Sequence, residues 1–230
     1  MWDPDLGVRR TDYLTHVMQR GRMGRMDTEL IAAFDATLPR WLIDELPALV
    51  AASPITTPEE RARLVNRLAD RNWREGNGGP FAAIVVDATS GALISVGVNV
   101  VLASGLSATH AEMMALSLAQ RALGRWDLGA DGAELELVVN WRPCVMCFGA
   151  TKWSGVRALT IAGEGAEVER LTGFDEGPMP ADWVGEFERR GIRVSIGVGH
   201  DDAIEVFRAF GASDAVVYNA RGASEQPSVE

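Results

Sequence analysis

Apolar and polar positions recur along this chain at two periods, and each period predicts its own set of elements. Met113, Leu116, Leu118, Ala122 and Leu123 repeat at mainly helical spacing and stop at Gly124, which predicts a helix closed by glycine. Thr57-Pro58-Glu59-Glu60 predicts a helix start, with a side-chain cap, a proline in the first turn and acids at the positive end of the dipole. That helix runs to about Glu75 and Gly76. Residues 81–87 and 92–98 read as strands joined through Ala88-Thr89-Ser90-Gly91, a short hairpin with glycine at its end. Residues 135–139, 158–162 and 193–198 read as a third, fourth and fifth strand. The long stretch between the fourth and fifth contains a helical pattern over 181–190, and a crossover of that length is what parallel neighbours require. Residues 201–210 predict a last helix, after which residues 211–218 lead out of the domain.

Residues 28–38 and 40–52 also show helical spacing, punctuated by Pro39, Pro47 and Pro54. The division expected from these patterns is a helical extension over 1–57, one domain over 58–212 and a tail over 213–230. Beyond Tyr218 the tail is rich in small and charged residues, so that part is expected to be disordered.

A net charge of -10 and a pI near 4.9 oppose a cationic nucleic-acid surface and favour a small, uncharged substrate. The basic run Gln19-Arg20-Gly21-Arg22-Met23-Gly24-Arg25 reads as a solvated loop. The two cysteines form one C-x-x-C pair and leave no disulfide framework, which fits a reducing cytoplasm. No stretch approaches the roughly 18 apolar residues of a membrane span, and no charged start leads into an apolar run, so neither a span nor an export signal is expected.

The candidate chemistry lies in Thr109-His110-Ala111-Glu112 and Arg142-Pro143-Cys144-Val145-Met146-Cys147. One imidazole, two thiols and a carboxylate suit a catalytic zinc site, in which three side chains bind metal and water takes the fourth position. His110 alone could be a satisfied core residue, but a carboxylate two positions on, in the first turn of an apolar helix, costs several kcal/mol, as buried ions do, if it has no task. Cys144 and Cys147 are three apart, so both sulfurs face one side of a helix whose first position suits Pro143. The positive helix end there favours thiolate. A thioredoxin-type redox pair would explain the cysteines and leave His110 and Glu112 unexplained. Gly76, Gly78 and Gly79 precede a strand and lack a following lysine, so they read as a turn into the sheet and not as a phosphate loop.

H-A-E followed by P-C-x-x-C is the pattern of zinc-dependent base deaminases, and on it the chain resembles the cytidine deaminase-like superfamily. Gly78-Gly79-Pro80-Phe81, Asn99, Cys147-Phe148-Gly149-Ala150 with Trp153, and Gly173-Phe174-Asp175-Glu176 are similar to bacterial guanine deaminases, over roughly residues 61–210. The resemblance implies a three-layer α/β/α sandwich on a central five-stranded mixed sheet, with strands four and five parallel. It implies one zinc per subunit on His110, Cys144 and Cys147, with Glu112 moving protons and Glu176 or Asp175 assisting. Asn99 would hydrogen-bond the base, while Phe81 and Trp153 would pack on its ring. The activity implied is hydrolytic deamination of a purine-like base, guanine first, with release of ammonia. A homodimer is also implied, with Tyr218 reaching over the neighbour's site or remaining an ordinary surface tyrosine. Asn99 as a turn cap, Phe81 and Trp153 as core residues, and Asp175 and Glu176 as loop residues are the structural alternatives.

Two departures bear on the substrate. Arg142, after Trp141, stands where relatives carry glutamate and could receive a carbonyl or anionic group, and Ala82-Ala83 replaces the family's Gly-Ala. The competing functions are deamination of another amino-heterocycle or nucleoside, a non-catalytic zinc scaffold, and a thiol redox protein. A tRNA adenosine deaminase is disfavoured by the acidic chain.

Overall fold

The computed structural model describes residues 33–219. The chain divides into two units, Met1–Asp35 and Ala36–Glu230. Of the first, only residues 33–35 are described, and they form no regular element. The basic run over 19–25 and the tail beyond 219 lie outside the described residues.

The second unit is built on a sheet of order β2-β1-β3-β4-β5. The strands are β1 (Ala82–Asp87), β2 (Leu93–Val98), β3 (Leu135–Val139), β4 (Ala158–Ile161) and β5 (Arg193–Ile196). β1 is antiparallel to both β2 and β3, and β3, β4 and β5 run parallel. The mixed five-stranded sheet agrees with what the resemblance implied, and the parallel fourth and fifth strands with the expectation from the crossover length.

The helices are α1 (Arg40–Ala51), α2 (Pro58–Arg74), α3 (Val101–Ser104), α4 (Ala111–Leu123), α5 (Val145–Ser154), α6 (Glu167–Thr172), α7 (Trp183–Glu188) and α8 (His200–Gly211). Strand residues alternate between the two faces of the sheet. Ala83, Val85, Leu137 and Val139 pack against α4, α5 and α7 through Ala115, Phe148 and Phe187. Ile84, Val86 and Val138 face the other way, onto Leu42 of α1, Leu68 of α2 and Val206 of α8. Two apolar faces on one sheet require a helical layer on each side, hence three layers.

Local chemistry accounts for the helix ends. Thr57 Oγ1 accepts from Glu60 N and the Glu60 carboxylate accepts from Thr57 N, both at 3.2 Å, which is a capping box. Gly124 and Gly155 close α4 and α5 at φ 64° and 86°. The helical pattern over 28–38 is not realised in its described part: residues 33–39 are irregular, and α1 starts only after Pro39, whose ψ of 150° is extended. A residue before proline is biased away from helix, which keeps Leu38 out of one. The predicted helix over 181–190 shortens to α7, because Asp182 caps it by accepting from Gly185 N at 3.1 Å.

β2 carries α4 at a close approach that only glycine allows. A Cβ on Gly97 would lie 2.2 Å from Ala111 O and 2.4 Å from Ala115 N, both backbone atoms. Gly97→Ala is therefore expected to push α4 off the sheet, costing about 1–3 kcal/mol or more. Because His110 caps that helix, bound zinc should fall together with the urea midpoint; an unchanged midpoint would disprove the close packing.

Candidate active site

Two helix N-termini meet beside β1 and β3. His110 is the N-cap of α4 and Cys144 the N-cap of α5, each with extended backbone (ψ 160° and 171°), and Cys147 sits in the first turn of α5. α4 begins one position and α5 two positions later than sequence spacing indicated. Pro143 therefore precedes the cap instead of opening the helix, and His110 stands just outside the turn that holds Glu112. The consequence is favourable, since backbone N–H groups without a partner inside their own helix turn positive charge toward the sulfurs at both ends.

Nδ1 of His110 lies 3.5 Å from Cys144 Sγ and 3.7 Å from Cys147 Sγ. Zinc with tetrahedral nitrogen and sulfur ligands at the usual bond lengths requires an N···S edge of about 3.6 Å, so the donor set fits zinc in type and in spacing. Among the described residues these three form the group able to hold a metal, their donor atoms all within 4.8 Å of one another. Cys144 is depressed to about 4 by its hydrogen bonds with Cys147 and, more weakly, His110, which outweigh its burial. Cys147 shifts up as the partner in that bond. Burial opposes a charged His110, but Cys144 and Glu112 raise its pKa overall.

The site opens into a cavity of about 500 Å³. Phe81, Asn99, Glu112, Arg142, Phe174 and Glu176 line it. Glu112 is buried, and that burial, reinforced by Cys144, raises its pKa. Glu176 is pushed up to about 8, again by burial first and Cys144 second. Its carbonyl accepts from Val145 N at 3.2 Å, tying the loop after α6 to the start of α5. Asp175 lines the cavity too, but it is exposed and its carboxylate accepts from Gly177 N at 2.8 Å, a turn-closing task. Arg142 presents a buried Nε with no hydrogen-bond partner.

Trp153 does not join them. It is 75% exposed near the far end of α5 and lies under the Arg190 guanidinium, 5.5 Å from the ring centroid. The helix carries Cys147 inward, along with Phe148 and Thr151, so position 153 turns outward. The assignment of Trp153 to the substrate ring is corrected accordingly. Phe174 lines the cavity beside Phe81, at 5.6 Å between centroids.

Further residues that build the site carried no sequence signal of their own. Asn140 accepts from Ala82 N and donates to Pro80 O, clamping the backbone on both sides of Phe81. Asn72, fully buried on α2, donates to Asn99 O at 2.7 Å and to Gly79 O at 3.4 Å. Residues 215–219, expected to lead away, fold back instead. Tyr218 packs on Phe174 at 4.9 Å, while the Asn219 side chain accepts from Asp175 N and donates to Gly173 O.

A mixed sheet with a zinc-type His-Cys-Cys cluster between two helix N-termini, and a buried carboxylate beside it, defines the class of zinc-binding deaminases. The model of the cytidine and deoxycytidylate deaminase zinc-binding region matches residues 56–162. The guanine deaminase of Bacillus subtilis is 35% identical over 109 residues, 47% of this chain and 65% of that protein, so this chain spans slightly under two thirds of its length. A crystal structure of NE0047 with 2,6-diaminopurine has 45% identity and a TM-score of 0.72, covering 82% of this chain and 97% of that one. The guanine deaminase structure from Nitrosomonas europaea has 42% identity and a TM-score of 0.73, covering 81% of this chain and 100% of that one. The chain belongs to the guanine deaminase family of zinc-binding deaminases.

Proposed function

We propose that this protein hydrolyses guanine, replacing its 2-amino group with oxygen and releasing ammonia. The observation that carries the proposal is Glu112: a buried carboxylate beside the His110, Cys144 and Cys147 cluster but outside the metal-holding set. A structural metal site has no use for such a group. Zinc held by the three ligands would make water nucleophilic at neutral pH. Glu112, its affinity for a proton raised by burial, takes the proton and delivers it to a ring nitrogen. Glu176 assists by carrying a proton toward the departing amino group, and Asp175 holds the turn that orients it. Asn99 hydrogen-bonds the base, Phe81 and Phe174 pack on its ring, and Arg142 offers donors to a carbonyl or anionic group.

NE0047 variants in which one glutamate or one asparagine is substituted hold 8-azaguanine, and those two residues stand as far apart in sequence as Glu176 and Asn99. That correspondence supports both assignments. A cytoplasmic homodimer completes the reading. Support for it comes from two free cysteines, from the exposed Val145 and Trp153 along α5, and from the lack of any helix, among the described residues, long and apolar enough to cross a membrane.

The test is ammonia release by zinc-loaded protein from guanine, guanosine, adenine, adenosine, cytosine, cytidine and simple aminotriazines, with metal content measured alongside. Release from guanine is the expected result. No release from any of them, with zinc bound, would overturn the assignment.

A further inference from the structure

Asn99 is hydrogen-bonded by the protein through every polar atom but one, among the described residues. Its N–H donates to Phe81 O at 3.1 Å and its carbonyl accepts from Asn72 at 2.7 Å. Its Oδ1 accepts from Val101 N at 3.1 Å and from the Tyr218 hydroxyl at 2.6 Å. Nδ2 alone is left over, on a residue that lines the cavity.

An amide can in principle be turned over, exchanging its oxygen and nitrogen. The backbone N–H of Val101 forbids that here. Val101 N can only donate, so the amide atom facing it must be the oxygen. Gly79 N, 2.9 Å from the Tyr218 hydroxyl, can also only donate, so the hydroxyl accepts there, and because the amide atom fixed by Val101 N is an oxygen, the phenolic proton is what joins the hydroxyl to Asn99 Oδ1. The chain Gly79 N–H to Tyr218 O–H to Asn99 Oδ1 therefore runs in one direction. Gly78 allows the approach, since a Cβ there would lie 2.3 Å from Asn99 Oδ1.

We propose that Tyr218 is a positioning residue that sets substrate selection by locking the Asn99 carboxamide with Nδ2 toward the cavity. The site then reads its ligand with a donor and selects a purine whose 6-substituent is an acceptor, as in guanine, over one whose 6-substituent is a donor, as in 2,6-diaminopurine. Both purines carry the reacting 2-amino group and differ at the 6-substituent and in the proton on N1, so the lock is read from how the preference changes between the wild type and Tyr218→Phe. This inference rests on the guanine deaminase reading above. Mismatching one hydrogen bond of this kind shifts the preference by about tenfold or more.

The experiment compares kcat and KM for guanine and 2,6-diaminopurine in the zinc-loaded wild type, Tyr218→Phe and Asn99→Asp. The wild type should prefer guanine. Tyr218→Phe removes the phenolic donor, leaves Val101 N–H as the single group holding Asn99 Oδ1, loosens the carboxamide, and should narrow the preference about tenfold, mainly through KM, with zinc content unchanged. Asn99→Asp puts an acceptor where Nδ2 stood and should invert the preference. A wild type indifferent to the 6-substituent, or a Tyr218→Phe variant that slows both substrates equally, would overturn the lock while leaving the guanine deaminase reading standing. Failure of the wild type to deaminate either purine would overturn that reading and the lock with it.

Discussion

Glu112→Gln is expected to lower guanine turnover by about 10²–10⁴-fold, the range for a lost general acid–base residue. Glutamine keeps the shape of the side chain and its place in the first turn of α4, so the packing around it survives. What disappears is a group able to take and return a proton. Because burial penalises the charged form of the native carboxylate, its neutral replacement should not lower the melting temperature. Zinc should stay at one per chain, since Glu112 is outside the ligand set. Ammonia release measured beside metal content and melting temperature separates the possibilities. Retained turnover would remove Glu112 from the mechanism, whereas lost zinc would make it part of the metal site.

A second large effect is expected far from the cavity, at Arg61 on α2. Its guanidinium pairs with Glu136 of β3, both side chains being less than a tenth exposed. Glu136 also accepts from Thr160 Oγ1 at 2.5 Å, and Arg61 Nε donates to Ile55 O at 2.9 Å, so the pair ties the sheet, α2 and the segment before it together. Arg61→Ala leaves a carboxylate buried without its counter-charge and should cost about 3–5 kcal/mol. Replacing both partners with apolar residues of similar size, as in Arg61→Met with Glu136→Leu, should recover most of that loss, because it removes the orphaned charge as well. Urea denaturation of the single and double variants checks this. A double variant no better than the single would show that the pair stabilises beyond satisfying its own charges.

The chain itself specified what depends on near neighbours in sequence. His110 and Glu112, or Cys144 and Cys147, are two and three positions apart, so their placement at the start of one helix follows from helical geometry alone. The strands and the main helices were legible for the same reason: apolar periodicity and caps such as Thr57 and Gly124 act within a turn or two. Even the parallel pairing of the last strands was written into the length of the crossover. Trp153 shows where such reasoning stops. Its spacing from Cys147 was correct, but which face of α5 turns inward was decided by the sheet and α7. Arg61 and Glu136, Asn72 and Asn99, and Asn99 and Tyr218 meet across 75, 27 and 119 residues. Local propensity carries no information over such separations. The metal ligands were therefore determined by the sequence, whereas the contact of the Tyr218 hydroxyl with the Asn99 carboxamide was decided only when residues 119 apart were folded together.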